Sequence, residues 1–351
     1  MLNWGLIGAG GIARVFCNGL RFSKMGRAIA VASQTPGKAE KLAGDFGIPK
    51  AYASYDALLA DSEVEAVYVS TIHPMHAECV IQAARAGKHI LVEKPIAMNS
   101  GEAAAMIEAA RTNDVFLMEA FMYRCHPQTQ KLAALVREGA IGRVQVIRVV
   151  FSYGGAFQPT SRAYAKEMGG GGILDVGCYA ASMSRLLAGA GLGRAFADPV
   201  QVKGCGMLGP TGVDHYAAAT VEFENGIIAE LITGVGCRMP TEVAVYGEEG
   251  FLSVANPWLP SSPCRSAKTP LPPDTRFPPG SITYHAYREA APREIVVEVD
   301  RDLFTYEADM VAAHIAERQA PAMSWDDTLG NMRLLDSWRQ EIGLVYEQER
   351  R

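Results

Sequence analysis

Over the first 120 residues, short and mostly apolar runs alternate with stretches that carry apolar residues at helical spacing. The runs WGLIG (4–8), AIAVAS (28–33), EAVYVST (65–71), KHILVE (88–93) and VFLME (115–119) lack the two-residue alternation of a half-solvated strand. Such runs read as strands buried on both faces, the state of strands in a helix-covered parallel sheet. Between them, GGIARVFCNGLR, GKAEKLAGDFG, HAECVIQAARAG and SGEAAAMIEAARTN read as helices, several closing on the Gly or Asn expected beyond a helix end. Strand and helix in regular succession imply parallel strands with right-handed crossovers, hence an open, doubly wound α/β domain over residues 1–121.

The pattern changes near residue 121. HPQTQKLAALVREGAIG (126–142) reads as a helix ending at Gly139, followed by the strand RVQVIRVVFSYGG. A glycine run at 169–172, read as a flexible turn, opens the helix ILDVGCYAASMSRLLAG. PVQVKGCGML, YAAATVEFENGIIAELITGV with a turn at Asn225-Gly226, TEVAVYGEEGFLSV and REIVVEVD then follow as longer, more alternating strands. Hairpin-type turns between such strands predict an α+β domain over 122–351, with a largely antiparallel open sheet and helices on one face. Eight prolines in 257–279 exclude a central strand and predict an irregular loop. FTYEADMVAAHIAERQ and SWDDTLGNMRLLDSWRQEIG read as helices able to pack back on the first domain. Two cores also suit a length of 351 residues, because single cores stop growing beyond roughly 250–300 residues.

A formal charge of −5 at this length gives no footing for a nucleic-acid partner. No apolar run reaches the roughly 18–20 residues of a membrane span, and the N-terminus lacks the order of a signal peptide, so the expected location is cytoplasmic. Seven scattered cysteines without a C-x-x-C pair read as reduced core thiols. His73 and His76 form the one close histidine pair, and no carboxylate or cysteine grouping completes a metal site with them, so no metal is expected.

Gly8-Ala9-Gly10-Gly11-Ile12-Ala13 is G-x-G-x-x-A between a strand and a helix. Gly8 makes the tight turn, Gly10 lets a pyrophosphate approach the backbone, Ala13 lets helix and strand pack closely, and the phosphates face the helix N-terminus. The placement at the head of an alternating β/α series predicts a Rossmann dinucleotide site that includes Gly11 and Ile12. An acid after the second strand would bind the ribose of NAD and repel a 2′-phosphate. The chain instead has Ser33, Gln34 and Thr35, with Lys38 a turn later, which favours NADP and leaves NAD open.

Glu93-Lys94-Pro95 falls at the carboxyl end of a predicted parallel strand, where open α/β sheets place ligands. A lysine there can favour an alkoxide or phenolate by its charge. Asp175 and Tyr179, four residues apart on a helix, share a face and form a candidate proton-transfer pair, Tyr179 as acid/base and Asp175 orienting it or the substrate.

Five motifs in order carry a resemblance: the G-x-G-x-x-A start, TIHPMHAE (71–78), EKP (93–95), MEAFMYRCHP (118–127) and GGGGILDVGCY (169–179). Over essentially its whole length the chain is similar to the Gfo/Idh/MocA oxidoreductases, nearest the branch of dihydrodiol and xylose dehydrogenases and glucose–fructose oxidoreductase. The resemblance implies that Lys94 touches both substrate and nicotinamide, that the Lys94–Pro95 peptide is cis, and that Asp175 and Tyr179 complete the catalytic set. Thr71, His73, His76 and Glu93 join the expected cofactor contacts, although His73 stands where the family usually has asparagine. Arg162 is a candidate for the cofactor and Arg124 for the substrate.

The implied activity is hydride transfer between nicotinamide C4 and a ring carbinol of a pyranose sugar or cyclic polyol, with Lys94 lowering the Tyr179 pKa. A sensor that binds the dinucleotide or a sugar without chemistry, and a sugar–sugar oxidoreductase with a non-dissociating cofactor, are the alternatives. An uncovered apolar sheet face predicts a homodimer or homotetramer.

Overall fold

The computed structural model describes residues 1–267 and 269–350. Six parallel strands form the first sheet: β1 (Leu2–Ile7), β2 (Gly26–Ala32), β3 (Lys50–Tyr52), β4 (Ala66–Val69), β5 (His89–Glu93) and β6 (Leu117–Ala120), in the order β3-β2-β1-β4-β5-β6. The crossovers are α1 (Gly11–Leu20), α2 (Lys38–Phe46) with α3 (Tyr55–Leu59), α4 (His76–Arg85) and α5 (Ser100–Thr112). All four residues of β4 and of β6 are buried, as runs without alternation require. The strand order reverses between β1 and β4, which opens a crevice at their carboxyl ends.

The sequence reading passes over β3 and α3. β3 is a three-residue edge strand with no buried position, and α3 has five residues, both too short for periodicity to register. Ser54 is the local signal for α3: its hydroxyl accepts from the Ala57 amide at 3.2 Å as an N-cap.

After α6 (Met122–Cys125) and α7 (Pro127–Arg137), β7 (Val144–Ser152) enters a second sheet of eight strands, ordered β14-β13-β12-β11-β7-β10-β9-β8. Its other members are β8 (Gln201–Leu208), β9 (Asp214–Glu222), β10 (Ile228–Gly234), β11 (Glu242–Gly247), β12 (Gly250–Val254), β13 (Gly280–Ala286) and β14 (Arg293–Val297). Every pairing is antiparallel except β7 with β10. The sequence reading also omits β13, whose alternation begins directly after the proline-rich stretch. The helix α8 (Cys178–Gly191) packs on β7 and β10 and is buried at every residue but its last. The opposite face stays open in the single chain: Val146, paired with Ile228, is 39% exposed and Ile228 43%.

The last helices, α9 (Leu303–Ala313) and α10 (Trp325–Glu341), return to the first sheet. A Cβ on Gly19 of α1 would lie 2.5 Å from the Cβ of Phe304, so glycine is what lets α9 approach, and the Thr305 hydroxyl donates to the Gly19 carbonyl at 2.7 Å. From α10, Trp325 Nε1 donates to the Leu117 carbonyl at 3.0 Å. No helix of the described residues is long and apolar enough to cross a membrane.

Glu119, next to last in β6, lies by the loop that carries Pro95. One carboxylate oxygen accepts from the Ile96 amide at 2.9 Å, but burial dominates and raises its pKa from 4.5 to about 8. Across that window the folded chain holds a proton that the unfolded chain has released, so stability falls as pH rises. Glu119→Gln keeps the acceptor for Ile96 without the charge. Its melting temperature is expected to gain on wild type steadily from about pH 5 to about pH 8; a pH-independent difference contradicts the assignment.

Candidate active site

The carboxyl edge of the first sheet and the near end of the second enclose a cleft of about 910 Å³. Gly8, Gly10, Gly11 and Ile12 reach it from β1, Ser33, Gln34, Thr35 and Lys38 from β2, Thr71, His73 and His76 from β4, and Glu93 and Lys94 from β5. Arg162, Asp175 and Tyr179 line it from the other side.

The glycines at the β1 turn serve two purposes. Gly8 has φ 100°, and a Cβ there would lie 3.0 Å from the Ser70 carbonyl oxygen, so backbone and packing both select glycine. At Gly10 and Gly11 a Cβ would meet nothing within 4 Å, so protein packing does not explain them. Open space over backbone amides is what an approaching diphosphate needs. α1 starts without a side-chain cap or an acid in its first turn, leaving its N–H groups for an anion. These residues fit a dinucleotide.

Both histidines are buried and neutral. Burial lowers His76 to about 4, and its two ring nitrogens face the Pro95 carbonyl at 3.0 Å and the Thr71 carbonyl at 3.3 Å. With one ring proton it donates to one of these carbonyls and packs against the other, between the loops after β4 and β5. Burial lowers His73 to about 3; its Nδ1 lies 3.0 Å from the Gly169 carbonyl, and a proton there leaves Nε2 as an acceptor toward Arg162. His73 thus meets the second domain through its backbone.

Around Asp175 the charges converge. Lys94, joined to Pro95 by a cis peptide, donates from Nζ to the Asp175 carbonyl at 2.7 Å and lies 3.6 Å from its carboxylate. Arg162 donates to the same carboxylate at 2.9 Å, and the Tyr153 hydroxyl donates to its other oxygen. Burial alone would raise the Asp175 pKa, but Lys94 and Arg162 outweigh it and hold the group well below the usual carboxylate range. The phenol on Asp175 is therefore Tyr153, which the sequence reading did not single out. Asp175 sits in a single π-helical turn, Ile173–Gly177, and in that wider turn the four-residue spacing no longer stacks it with Tyr179.

Tyr179 lies one turn on, in a box of Phe121, Tyr123, Phe151 and Trp258, with its hydroxyl 3.5 Å from Met122 Sδ. Lys94 Nζ stands over the ring, 4.9 Å from its centroid. Burial, followed by Glu93, pushes the phenol well above 10, so the expected lowering by Lys94 does not prevail. Glu93 is buried, accepts from the Tyr68 hydroxyl, and is raised by burial in turn.

Two further expectations change. The glycine run is not a flexible turn: a Cβ on Gly171 would lie 2.3 Å from Asp214 Oδ1, and one on Gly172 would lie 2.9 Å from the Gly234 Cα. Glycine there permits close packing, and Asp214 accepts from the Ile173 amide at 2.8 Å. Arg124 does not reach the cleft: it is buried against Asp327 at 2.5 Å and Ser182 at 3.0 Å, which makes it a structural ion pair. Of the lining residues absent from the sequence reading, Phe151 and Tyr153 had a legible two-residue spacing at a strand end. Trp258 and Arg265, within the proline-rich loop, had no local signal.

Two family models match in tandem: the oxidoreductase family with an NAD-binding Rossmann fold over residues 2–121, and the GFO/IDH/MocA C-terminal domain over 129–253. The chain belongs to the Gfo/Idh/MocA family. Trans-1,2-dihydrobenzene-1,2-diol dehydrogenase of Danio rerio is 32% identical, with 99% of each chain covered. D-xylose 1-dehydrogenase (NADP(+)) 2 of Haloferax volcanii is 30% identical, with 88% of each covered. Among solved structures, a variant of the 3-ketoreductase KijD10 from Actinomadura kijaniata, in complex with TDP-benzene and NADP, superposes with a TM-score of 0.83 at 25% identity, over 97% of this chain and 98% of that one. The protein is an oxidoreductase with an NAD(P)-binding Rossmann domain.

Gly10→Ala adds a methyl group to open space at φ −83°, a conformation that alanine adopts freely. It is expected to keep the wild-type melting temperature and to weaken NADPH binding by at least tenfold in a fluorescence titration; unchanged affinity removes the diphosphate from this turn. Arg124→Met leaves Asp327 with half of its buried partners and is expected to cost about 3–5 kcal/mol in denaturant unfolding. An unchanged midpoint together with a raised substrate KM would return Arg124 to the site.

Proposed function

We propose that the protein interconverts a secondary ring alcohol and the corresponding ketone or lactone on a pyranose sugar or cyclic polyol, with NADP preferred over NAD. The observation that carries this reading is Lys94, held at the carboxyl end of β5 between Asp175 and the Tyr179 ring. When bound, the nicotinamide supplies or accepts the hydride.

The protein's part is charge placement and proton transfer. Ionised Asp175 fixes Lys94, whose ammonium has three donors and keeps one for a substrate oxygen in the cleft. In reduction, Lys94 stabilises the developing alkoxide and Tyr179, kept protonated by burial, donates the proton. In oxidation the same two groups act in reverse. The Tyr179 hydroxyl gives up only a weak contact to sulfur when it turns to substrate.

Phe151 and Trp258 stack with centroids 5.3 Å apart and rings inclined by 17°, forming an apolar wall beside Tyr179. Such a wall suits the C–H face of a six-membered ring and keeps water from the reacting carbon. The names of the two relatives support the substrate class, since a dihydrobenzenediol and xylose both offer a six-membered ring with adjacent hydroxyls. The preference for NADP rests on the neutral Ser33, Gln34 and Thr35, with Lys38 exposed in the first turn of α2.

Lys94→Met and Tyr179→Phe are each expected to lower kcat by about 10²–10⁴-fold on a reactive sugar or diol while still binding NADPH. Wild-type turnover by either variant, folded and cofactor-bound, sinks the mechanism. A panel of pyranoses, cyclic polyols and trans-diols, followed by absorbance of the reduced nicotinamide, tests the substrate class.

A further inference from the structure

The proline-rich stretch between β12 and β13 is tied down across the first domain. Asn18 of α1 accepts from the Leu271 amide at 2.9 Å and donates to the Thr269 carbonyl at 3.3 Å. Phe277 packs edge-on against Phe22, with ring centroids 5.0 Å apart. At its other end the Cys264 amide donates to Asp302 at 3.3 Å, just before α9. The loop is thus a strap from the second domain that runs along the helix whose N-terminus faces the cleft.

The short turn Pro263–Arg265 packs on α1, and Arg265 lines the same cleft as Gly8, Gly10 and Gly11. Its guanidinium is exposed and has no hydrogen-bond or ion-pair partner among the described residues. The other cleft arginine, Arg162, is already engaged by Asp175. The charge of Arg265 acts on Glu93, which is buried and bonded to Tyr68, and on Tyr179, and favours the ionised form of each. Arg265 therefore lines the cleft shared by the phosphate turn and the catalytic residues, on a turn packed against α1, with donors unspent.

We propose that Arg265 is the second domain's contribution to the cofactor site: it would pair with the diphosphate of the bound dinucleotide alongside the α1 N-terminus, so that the strap holds the cofactor from both domains. The proposal rests on the dinucleotide reading of the glycine turn. A guanidinium suits this task because it presents paired N–H donors to two phosphate oxygens. The diphosphate is common to NADP and NAD, so Arg265 contributes to both equally and leaves the choice between them to the residues after β2.

The test is fluorescence titration and stopped-flow release of NADPH and NADH with wild type, Arg265→Gln and Arg265→Lys. Arg265→Gln is expected to weaken both nucleotides by about tenfold, the same factor for each and mostly through faster release, with Arg265→Lys intermediate and the substrate KM at saturating cofactor unchanged. Unchanged affinity for both nucleotides overturns the proposal. So does a raised substrate KM with cofactor affinity intact, which would assign Arg265 to an anionic substrate. A loss confined to NADPH overturns it as well, since that places the arginine at the 2′-phosphate. A wild type that bound neither nucleotide would overturn this proposal and the dinucleotide reading together.

Discussion

The buried carboxylate of Asp175 holds the two halves of the site together. It comes from the second domain, yet the lysine it fixes comes from β5 of the first. Burying a carboxylate costs several kcal/mol unless charge and hydrogen bonds replace the lost water. Lys94, Arg162 and Tyr153 supply that replacement, and each is thereby held in one place. Remove any one and the group is left with a charge it cannot spread, so the cleft's geometry and the acid's ionisation stand or fall together. His73 strengthens the same seam from the other direction, joining the loop after β4 to the glycine run through the Gly169 carbonyl.

The glycine run explains how Asp175 is brought so close to the sheet. Gly171 and Gly172 lie against Asp214 and the backbone of β10, where any Cβ would collide. That contact presses the start of the helix onto the second sheet, and the π-helical turn that follows turns the Asp175 carboxylate toward Lys94 and Arg162. Tyr179, one turn later, faces the aromatic wall instead. A regular α-helix would have aimed both side chains alike.

Local pattern carried much of the fold into the sequence. Runs such as ILV in β5 are apolar because both faces of the parallel sheet are covered, and the period of the crossover helices follows from the same layering. The glycines of the β1 turn and the lysine after β5 were legible for a related reason: their chemistry is odd for the place they occupy. What could not be read is what depends on distant chain segments. Arg124 sits in a motif, yet its partner Asp327 lies 203 residues on, so local pattern cannot tell a buried ion pair from a substrate contact. Tyr153 and Tyr179 are equally plausible phenols in one dimension, and only the π-helical turn assigns Asp175 to the first. β3 and α3 fell below the length at which a period can be recognised.

The charges left over in the cleft bear on the cofactor and on the phenol beside it. Lys94 and Arg162 share one carboxylate, Glu93 is pushed by burial toward its neutral form, and Arg265 adds a further positive group. An excess of positive charge in a partly desolvated cleft draws an anionic cofactor. Arg265 favours ionisation of Tyr179, against a burial that keeps its proton on. The proton transfer proposed for Tyr179 therefore rests on the balance between its burial and the positive groups around it.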